Sequence, residues 1–231
     1  ELTDYARQRV ELASSLRHAL DNDELRVYYQ PLHNLGAGSQ VGMEALVRWQ
    51  HPQRGLIAPG EFIPIAEDNG MIGAIDAWVL EQACRQMVRW NAEGSTLSFV
   101  AVNVSSRLFS RGELDQNVAG VLAATGLPPE QLELEVTESA IMEDPDAALK
   151  LLTSLRALGV RLAIDDFGTG YSSLARLKRL PVDKLKLDQS FVRGLPDDPE
   201  DAAIARAVIA LGKSLGLKVL AKVERIVREE M

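Results

Sequence analysis

The sequence predicts an α/β fold, a TIM-like (β/α)8 barrel, and three observations carry that expectation. Apolar, β-prone runs alternate with helical runs along most of the chain, a pattern that implies right-handed βαβ units and a largely parallel sheet. Seven such strand runs fit within 231 residues, which suits a barrel better than a doubly wound sheet. No G-x-G-x-x-G follows the first strand run, so the phosphate-binding turn of a dinucleotide fold is missing.

Residues 4–20 (DYARQRVELASSLRHAL) are polar with a repeating apolar stripe and predict an amphipathic helix, ended by Asp21-Asn22-Asp23. Strands are expected at 25–32, 41–49, 98–104, 131–136, 160–164, 182–187 and 217–221. Helical patterns lie between them over roughly 60–91, 113–124, 146–158, 171–179 and 201–215. Pro145 marks a helix start, and Gly159 and Gly216 follow helix ends. No internal repeat or low-complexity linker interrupts the pattern. One domain is expected.

With 46% hydrophobic and 25% charged residues the chain can bury one sizeable core. A net charge of -8 argues against an electrostatic grip on a nucleic-acid polymer. It leaves room for a small phosphorylated ligand whose charge is masked by metal ions. The lone Cys84 excludes an intrachain disulfide framework and a thiolate metal cluster, and points to a reduced, cytoplasmic setting. No apolar run approaches the ~20 residues of a membrane span, and Glu-Leu-Thr-Asp does not begin a signal peptide. A cytoplasmic part of a membrane-anchored parent protein remains compatible with these features.

In a barrel, chemistry is placed where strands end and the following loops begin. Glu44 sits inside the apolar frame of the second strand run, Asn103 ends the third, and Glu135 ends the fourth. Asp165 and Asp166 end the fifth, and Lys186 lies in the sixth. Taken singly, each has an ordinary structural explanation: a salt-bridge partner, a turn residue, a loop relaxed by the glycines after Asp165-Asp166, or a snorkelling lysine. Yet carboxylates on buried strands are costly unless paired or bound to cations. Four or five consecutive strands each delivering an acid or amide exceed what ion pairing needs. Oxygen donors without His or Cys suit hard cations, one or two of Mg²⁺ or Mn²⁺. Adjacent Asp165 and Asp166 could serve neighbouring ions for in-line displacement at phosphorus.

Other signals carry less. Asp166-Phe167-Gly168 spells the kinase magnesium triplet, but no glycine-rich loop or His-Arg-Asp catalytic loop accompanies it. His18, His33 and His51 lack metal-ligand spacing, and Trp49, Trp78 and Trp90 are expected in packing.

The wording and order of these segments resemble the EAL domain, a bacterial family of c-di-GMP phosphodiesterases. The naming triplet is Glu44-Ala45-Leu46, followed by Val47-Arg48-Trp49. Tyr28-Tyr29-Gln30-Pro31-Leu32, His51-Pro52, Pro59-Gly60-Glu61-Phe62-Ile63-Pro64-Ile65-Ala66-Glu67 and Asn103-Val104-Ser105 match in turn. Glu135-Val136-Thr137-Glu138-Ser139, Asp165-Asp166-Phe167-Gly168-Thr169-Gly170 and Lys186-Leu187-Asp188-Gln189-Ser190-Phe191-Val192 complete the set, so the likeness runs from about 21 to 221. It implies metal-dependent hydrolysis of c-di-GMP to linear pGpG. Glu44, Asn103, Glu135 and Asp165 then become ligands of a first ion, with Asp166 serving a second. Lys186 would orient water or offset phosphate charge, and Glu138 would steady the Asp-Phe-Gly-Thr-Gly loop. Gln30, Leu46, Arg48 and Asp188 fall where the family contacts substrate; a guanidinium such as that of Arg48 forks onto phosphate oxygens.

Residues 1–20 resemble the connector that follows a GGDEF domain, with the EAL domain over 21–231. The partners so implied are c-di-GMP, an upstream GGDEF or sensory domain, and a homodimer formed through EAL domains. One departure stands out. After the seventh strand the family reads Ala-Glu-Gly-Val-Glu, whereas this chain reads Leu220-Ala221-Lys222-Val223-Glu224-Arg225. Glu224 aligns with the second of those glutamates better than with the first. A last strand and a Gln-Gly-Tyr segment are also missing from the sequence. The expectation is a polypeptide with further residues between Ala221 and Met231, or beyond Met231, supplying that glutamate and an eighth strand. The alternative is a catalytically impaired EAL module that binds c-di-GMP as a receptor. A different barrel hydrolase or a metal-dependent aldolase is a third reading, which the order of motifs disfavours.

Overall fold

The computed structural model describes residues 2–34, 39–110, 113–169 and 174–221. Helix α1 (Leu2–Ala19) precedes β1 (Leu25–Asn34), β2 (Ser39–His51) and the short β3 (Gly55–Ile57). Then follow α2 (Pro59–Asp68), α3 (Ile72–Ala92), β4 (Phe99–Val104), α4 (Ser106–Ser110) and α5 (Leu114–Thr125). The remainder is β5 (Leu132–Thr137), α6 (Glu138–Glu143), α7 (Pro145–Ala157), β6 (Arg161–Phe167), α8 (Leu174–Leu177), β7 (Lys184–Leu187), α9 (Pro199–Leu215) and β8 (Lys218–Ala221). Among the described residues no helix is long and apolar enough to cross a membrane.

The wall of the barrel runs β1-β2-β4-β5-β6-β7-β8, and every neighbour from β2 onward is parallel. All seven expected strands form. The sheet curls but, among the described residues, β8 does not pair with β1. Residues 222–231, where the expected last glutamate and strand would belong, lie outside the described residues.

Three departures from the sequence expectation have plain causes. First, β1 pairs with β2 antiparallel, because the short connection between them cannot hold a crossover helix. Second, β3 folds back on β2, His51 opposite Gly55; His51 is buried and its Nδ1 accepts the backbone N–H groups of Gln53 and Arg54, which fixes the turn. Third, the expected helix over 60–91 is two helices. It breaks after Asp68, where Gly70 takes φ +73°, a left-handed conformation that glycine adopts at no steric cost.

Period-2 alternation sends Val100, Val102, Leu132, Leu134, Leu162, Ile164 and Leu185 into the layer between sheet and helices, where all are buried. The second half of α1 belongs to the same core, for Leu12, Leu16 and Ala19 are buried in it. The opposite faces of the strands look inward. At their amino ends the inward floor holds Phe99, with the Arg161 guanidinium 5.0 Å and the Lys184 ammonium 4.4 Å from the ring centroid. Glu133 takes Lys184 at 2.6 and 2.8 Å. Gly42 clears room for this ring, since a Cβ there would stand 2.7 Å from it.

Candidate active site

At the carboxyl ends of the strands, the inward face carries the charged residues singled out from the sequence. Lys186 of β7 is the hub, with 0% of its side chain exposed. Its ammonium donates to Glu44 Oε2 of β2 at 3.0 Å and to Glu135 Oε2 of β5 through a shorter bond. Asp165 Oδ2 of β6 lies 3.7 Å away. Asn103 of β4 donates from Nδ2 to Glu44 Oε1 at 3.0 Å. Five different strands thus bring one amide, one ammonium and three carboxylates together, and Glu44 and Asp165 share one face of the fold.

Three buried carboxylates share one ammonium, and the surplus negative charge shows in their protonation. Burial pushes the Glu135 carboxyl up to about 8; Lys186 opposes this, while Glu44 and Asp165 reinforce it. Burial works against the charge on Lys186, but Glu135, Glu44 and Asp165 outweigh it and hold its pKa above the ordinary lysine value. Both directions follow from one excess: too many carboxylates for the cation present.

The Asp165-Asp166 pair is placed by an irregularity. The β6–β7 register shifts between Ile164 and Phe167, and Asp166 has φ +52°, a region that non-glycine residues seldom occupy. In a regular strand two successive side chains would point to opposite faces. The irregularity lifts that constraint, and the Asp166 N–H closes onto Asp165 Oδ1 at 2.8 Å. Next along the chain Gly168 takes φ +105°, and its N–H donates to Glu138 Oε2 at 2.9 Å. Glu138 is buried at the start of α6, where Thr137 Oγ1 caps the helix by accepting the Ala140 N–H. Gly170 lies outside the described residues.

The residues expected to meet substrate line the same rim. In the β1–β2 register Gln30 faces Glu44, Tyr28 faces Leu46 and Arg26 faces Arg48. The Arg48 Nη1 donates to the Val47 carbonyl at 2.8 Å. Asp188 follows β7 and accepts the Ser190 N–H at 2.8 Å.

Two side chains at this rim were not singled out from the sequence. Asp76 of α3 accepts the N–H and hydroxyl of Ser105 at 3.2 and 2.5 Å, two residues beyond Asn103. Burial raises its carboxyl to about 6, with the Ser105 bonds opposing and the Glu67 charge adding. Its signal in the sequence is a lone acid among the apolar positions Ile72, Ile75 and Val79. Tyr28 is the second, legible only as the residue two before Gln30 on a period-2 strand.

Among the described residues no set of three His, Cys, Asp or Glu donors is drawn together closely enough to coordinate an ion as it stands; the carboxylates close on Lys186 instead. The donor chemistry nevertheless fits a divalent cation. Glu135 Oε1 and Glu138 Oε1 are buried oxygens without a hydrogen-bond partner among the described residues, and such acceptors are unfavourable unless a proton or cation meets them.

The sequence matches the family described as "EAL domain" over residues 13–225. The chain belongs to the EAL domain family. Among relatives, it is 48% identical over 217 residues to the Pseudomonas aeruginosa protein named bifunctional diguanylate cyclase/cyclic di-GMP phosphodiesterase MucR, covering 94% of this chain and 32% of that protein. It is 47% identical over 217 residues to the cyclic di-GMP phosphodiesterase NbdA of the same organism, covering 94% of this chain and 28% of the relative. This EAL chain therefore spans a third or less of the length of these relatives. The solved structure of PaMucR phosphodiesterase in complex with c-di-GMP superimposes with a TM-score of 0.90 at 48% identity, covering 94% of this chain and 88% of that one. The EAL enzyme Bd1971, bound to cAMP and cyclic-di-GMP, gives 0.86 at 32% identity over 96% of this chain and 61% of its own. The curled, parallel-dominated sheet is the EAL form of the TIM-like barrel.

Proposed function

We propose that this EAL domain is a metal-dependent phosphodiesterase that hydrolyses c-di-GMP to linear pGpG. The observation that carries the proposal is the convergence of Glu44, Glu135 and Asp165 on Lys186, beside Asn103, at the strand ends. The names of MucR and NbdA, and the c-di-GMP complex of a structure 48% identical, support the choice of substrate.

Glu44, Asn103, Glu135 and Asp165 would hold a first Mg²⁺ or Mn²⁺, with Asp166 toward a second. Such an ion supplies Lewis acidity at the phosphoryl oxygen and lowers the pKa of bound water. The rest of the work belongs to the chain itself. Lys186 holds the carboxylates in place and offsets charge that develops on the phosphate. Glu138 fixes the loop after Asp166 through the Gly168 N–H. Arg48 presents a guanidinium suited to phosphate oxygens, and Gln30, Leu46 and Asp188 shape the place for the rest of the nucleotide. In a larger parent protein this activity would be governed by an upstream GGDEF or sensory domain in the cytoplasm, with pairing of EAL domains as a further level of control.

A second reading rests on one observation in the sequence: Lys222 stands where the family has a glutamate. On that reading the domain binds c-di-GMP as a receptor without cleaving it. Incubation with c-di-GMP and Mn²⁺, followed by chromatography, separates the two. Accumulation of pGpG is expected, and its abolition by Glu44→Ala in a folded variant ties it to this site. Retention of intact c-di-GMP with measurable binding would establish the receptor instead.

A further inference from the structure

We infer that Tyr28 is the stacking platform for a purine base of the bound nucleotide, an inference that rests on the phosphodiesterase reading and extends it to base recognition. The adjacent tyrosines of β1 have opposite fates. Tyr29 faces the helix layer, with its ring 4.8 Å from that of Trp90 in an edge-on arrangement. Burial raises its phenol to about 12. Tyr28 alternates to the inward face, opposite Leu46 and two residues from Gln30. There it is 48% exposed, and among the described residues it is the only aromatic side chain among the exposed large hydrophobics.

An aromatic residue left half open at a barrel rim gains little for the core, because burial is what makes a ring stabilising. What it offers is a flat π-face beside a charged site. The Arg48 guanidinium lies 5.8 Å from the Tyr28 ring centroid, close enough for a cation–π contact that steadies the ring. A ligand that needs both neighbours has an anionic phosphate beside a planar heterocycle. A cyclic dinucleotide is such a ligand. Base stacking tolerates any base, so Tyr28 sets affinity for purine rings and leaves the choice among purines to hydrogen-bonding groups elsewhere.

The test compares steady-state c-di-GMP hydrolysis with Mn²⁺ for wild type, Tyr28→Phe, Tyr28→Leu and Tyr28→Ala. Loss of one stacked base weakens binding by about 5- to 150-fold. KM is therefore expected to rise at least about fivefold in the leucine and alanine variants, while the phenylalanine variant stays near wild type. Leucine keeps apolar bulk on the strand without a π-face, so a wild-type KM in Tyr28→Leu overturns the inference even if Tyr28→Ala is crippled by misfolding. A phenylalanine variant as poor as leucine also overturns it, since the hydroxyl would then be the working group. If wild type binds c-di-GMP without cleaving it, the phosphodiesterase reading falls by itself; calorimetric Kd values for the same variants then decide the role of Tyr28 by the same pattern. A wild type that neither cleaves nor binds c-di-GMP overturns both.

Discussion

Replacing Lys186 by methionine would test the electrostatics of the site most directly. Methionine keeps the apolar stem and nearly the volume, so the packing loss is small, below about 1.5 kcal/mol. The ammonium it removes has no exposed surface and is shared by Glu44, Glu135 and Asp165. Removing one partner of a buried ion pair costs about 3–5 kcal/mol. Part of this is offset, because the Glu135 carboxyl is already pushed up to about 8 and takes up a proton readily at neutral pH. A net loss of about 2–4 kcal/mol corresponds to a fall in Tm of about 5–15 °C in a domain of this size. The assay is thermal unfolding followed by circular dichroism near neutral pH, in EDTA and in saturating Mg²⁺. The ion should restore more stability to the variant than to wild type, since it supplies the missing positive charge. A variant that melts with wild type in EDTA would refute the reasoning, for it would mean the carboxylates are not repelling one another.

Three further outcomes are expected. Glu138→Ala removes the acceptor of the Gly168 N–H and should lower kcat/KM about 10- to 100-fold, the effect of a lost charge-assisted bond of about 1.5–3 kcal/mol; titration calorimetry should find Mg²⁺ affinity little changed. Glu135 makes the metal-free protein pH-sensitive: its pKa is raised from 4.5 to about 8 in the fold, so its stabilising contribution is complete below the unfolded value and is lost as pH rises through the folded one. Lys186, also raised, keeps its contribution across that window. Tm in EDTA should therefore decline between about pH 5 and 8, and calorimetry in two buffers should detect proton release on Mg²⁺ binding. Glu133→Ala leaves Lys184 buried without its carboxylate and should cost about 3–5 kcal/mol, read by urea unfolding; the double change Glu133→Leu with Lys184→Met should recover most of it.

The acids of the site were legible because physics makes them conspicuous. Glu44, Glu135 and Asp165 are charges on strands that otherwise read as core, and only a paired or metal-bound role makes such burial tolerable. The barrel was legible for a related reason, since alternation of strand and helix leaves few topologies. Less could be seen where the outcome depends on local backbone or on distant packing. The φ of Asp166 and the shifted β6–β7 register have no marker beyond the glycine that follows Phe167. The break at Gly70 lay inside a continuous apolar pattern that reads as one helix. Asp76 gains its meaning from Ser105, distant in sequence. Tyr28 looked like any β-prone residue until the register placed it inward and the burial left it open.

The reversal of β1 has a mechanical consequence. A strand running with its neighbours would be entered from the floor of the barrel, far from the chemistry. Because β1 runs against β2, it is entered at the rim, with Leu25 opposite Trp49. The joint is pinned there: the Gln50 N–H donates to the Glu24 carbonyl at 2.8 Å and Trp49 Nε1 to the Glu24 carboxylate at 2.9 Å. From that joint the extended chain reaches Tyr28 in about 10 Å and Gln30 in about 17 Å, with no loop between to absorb strain. Helix α1, seated by Leu12, Leu16 and Ala19, ends in a turn whose last residue, Glu24, ties it to β1 and β2 together. The chain thus enters the sheet where β1 and β2 are already bonded to one another, beside Tyr28 and Arg48 rather than at the floor under Phe99.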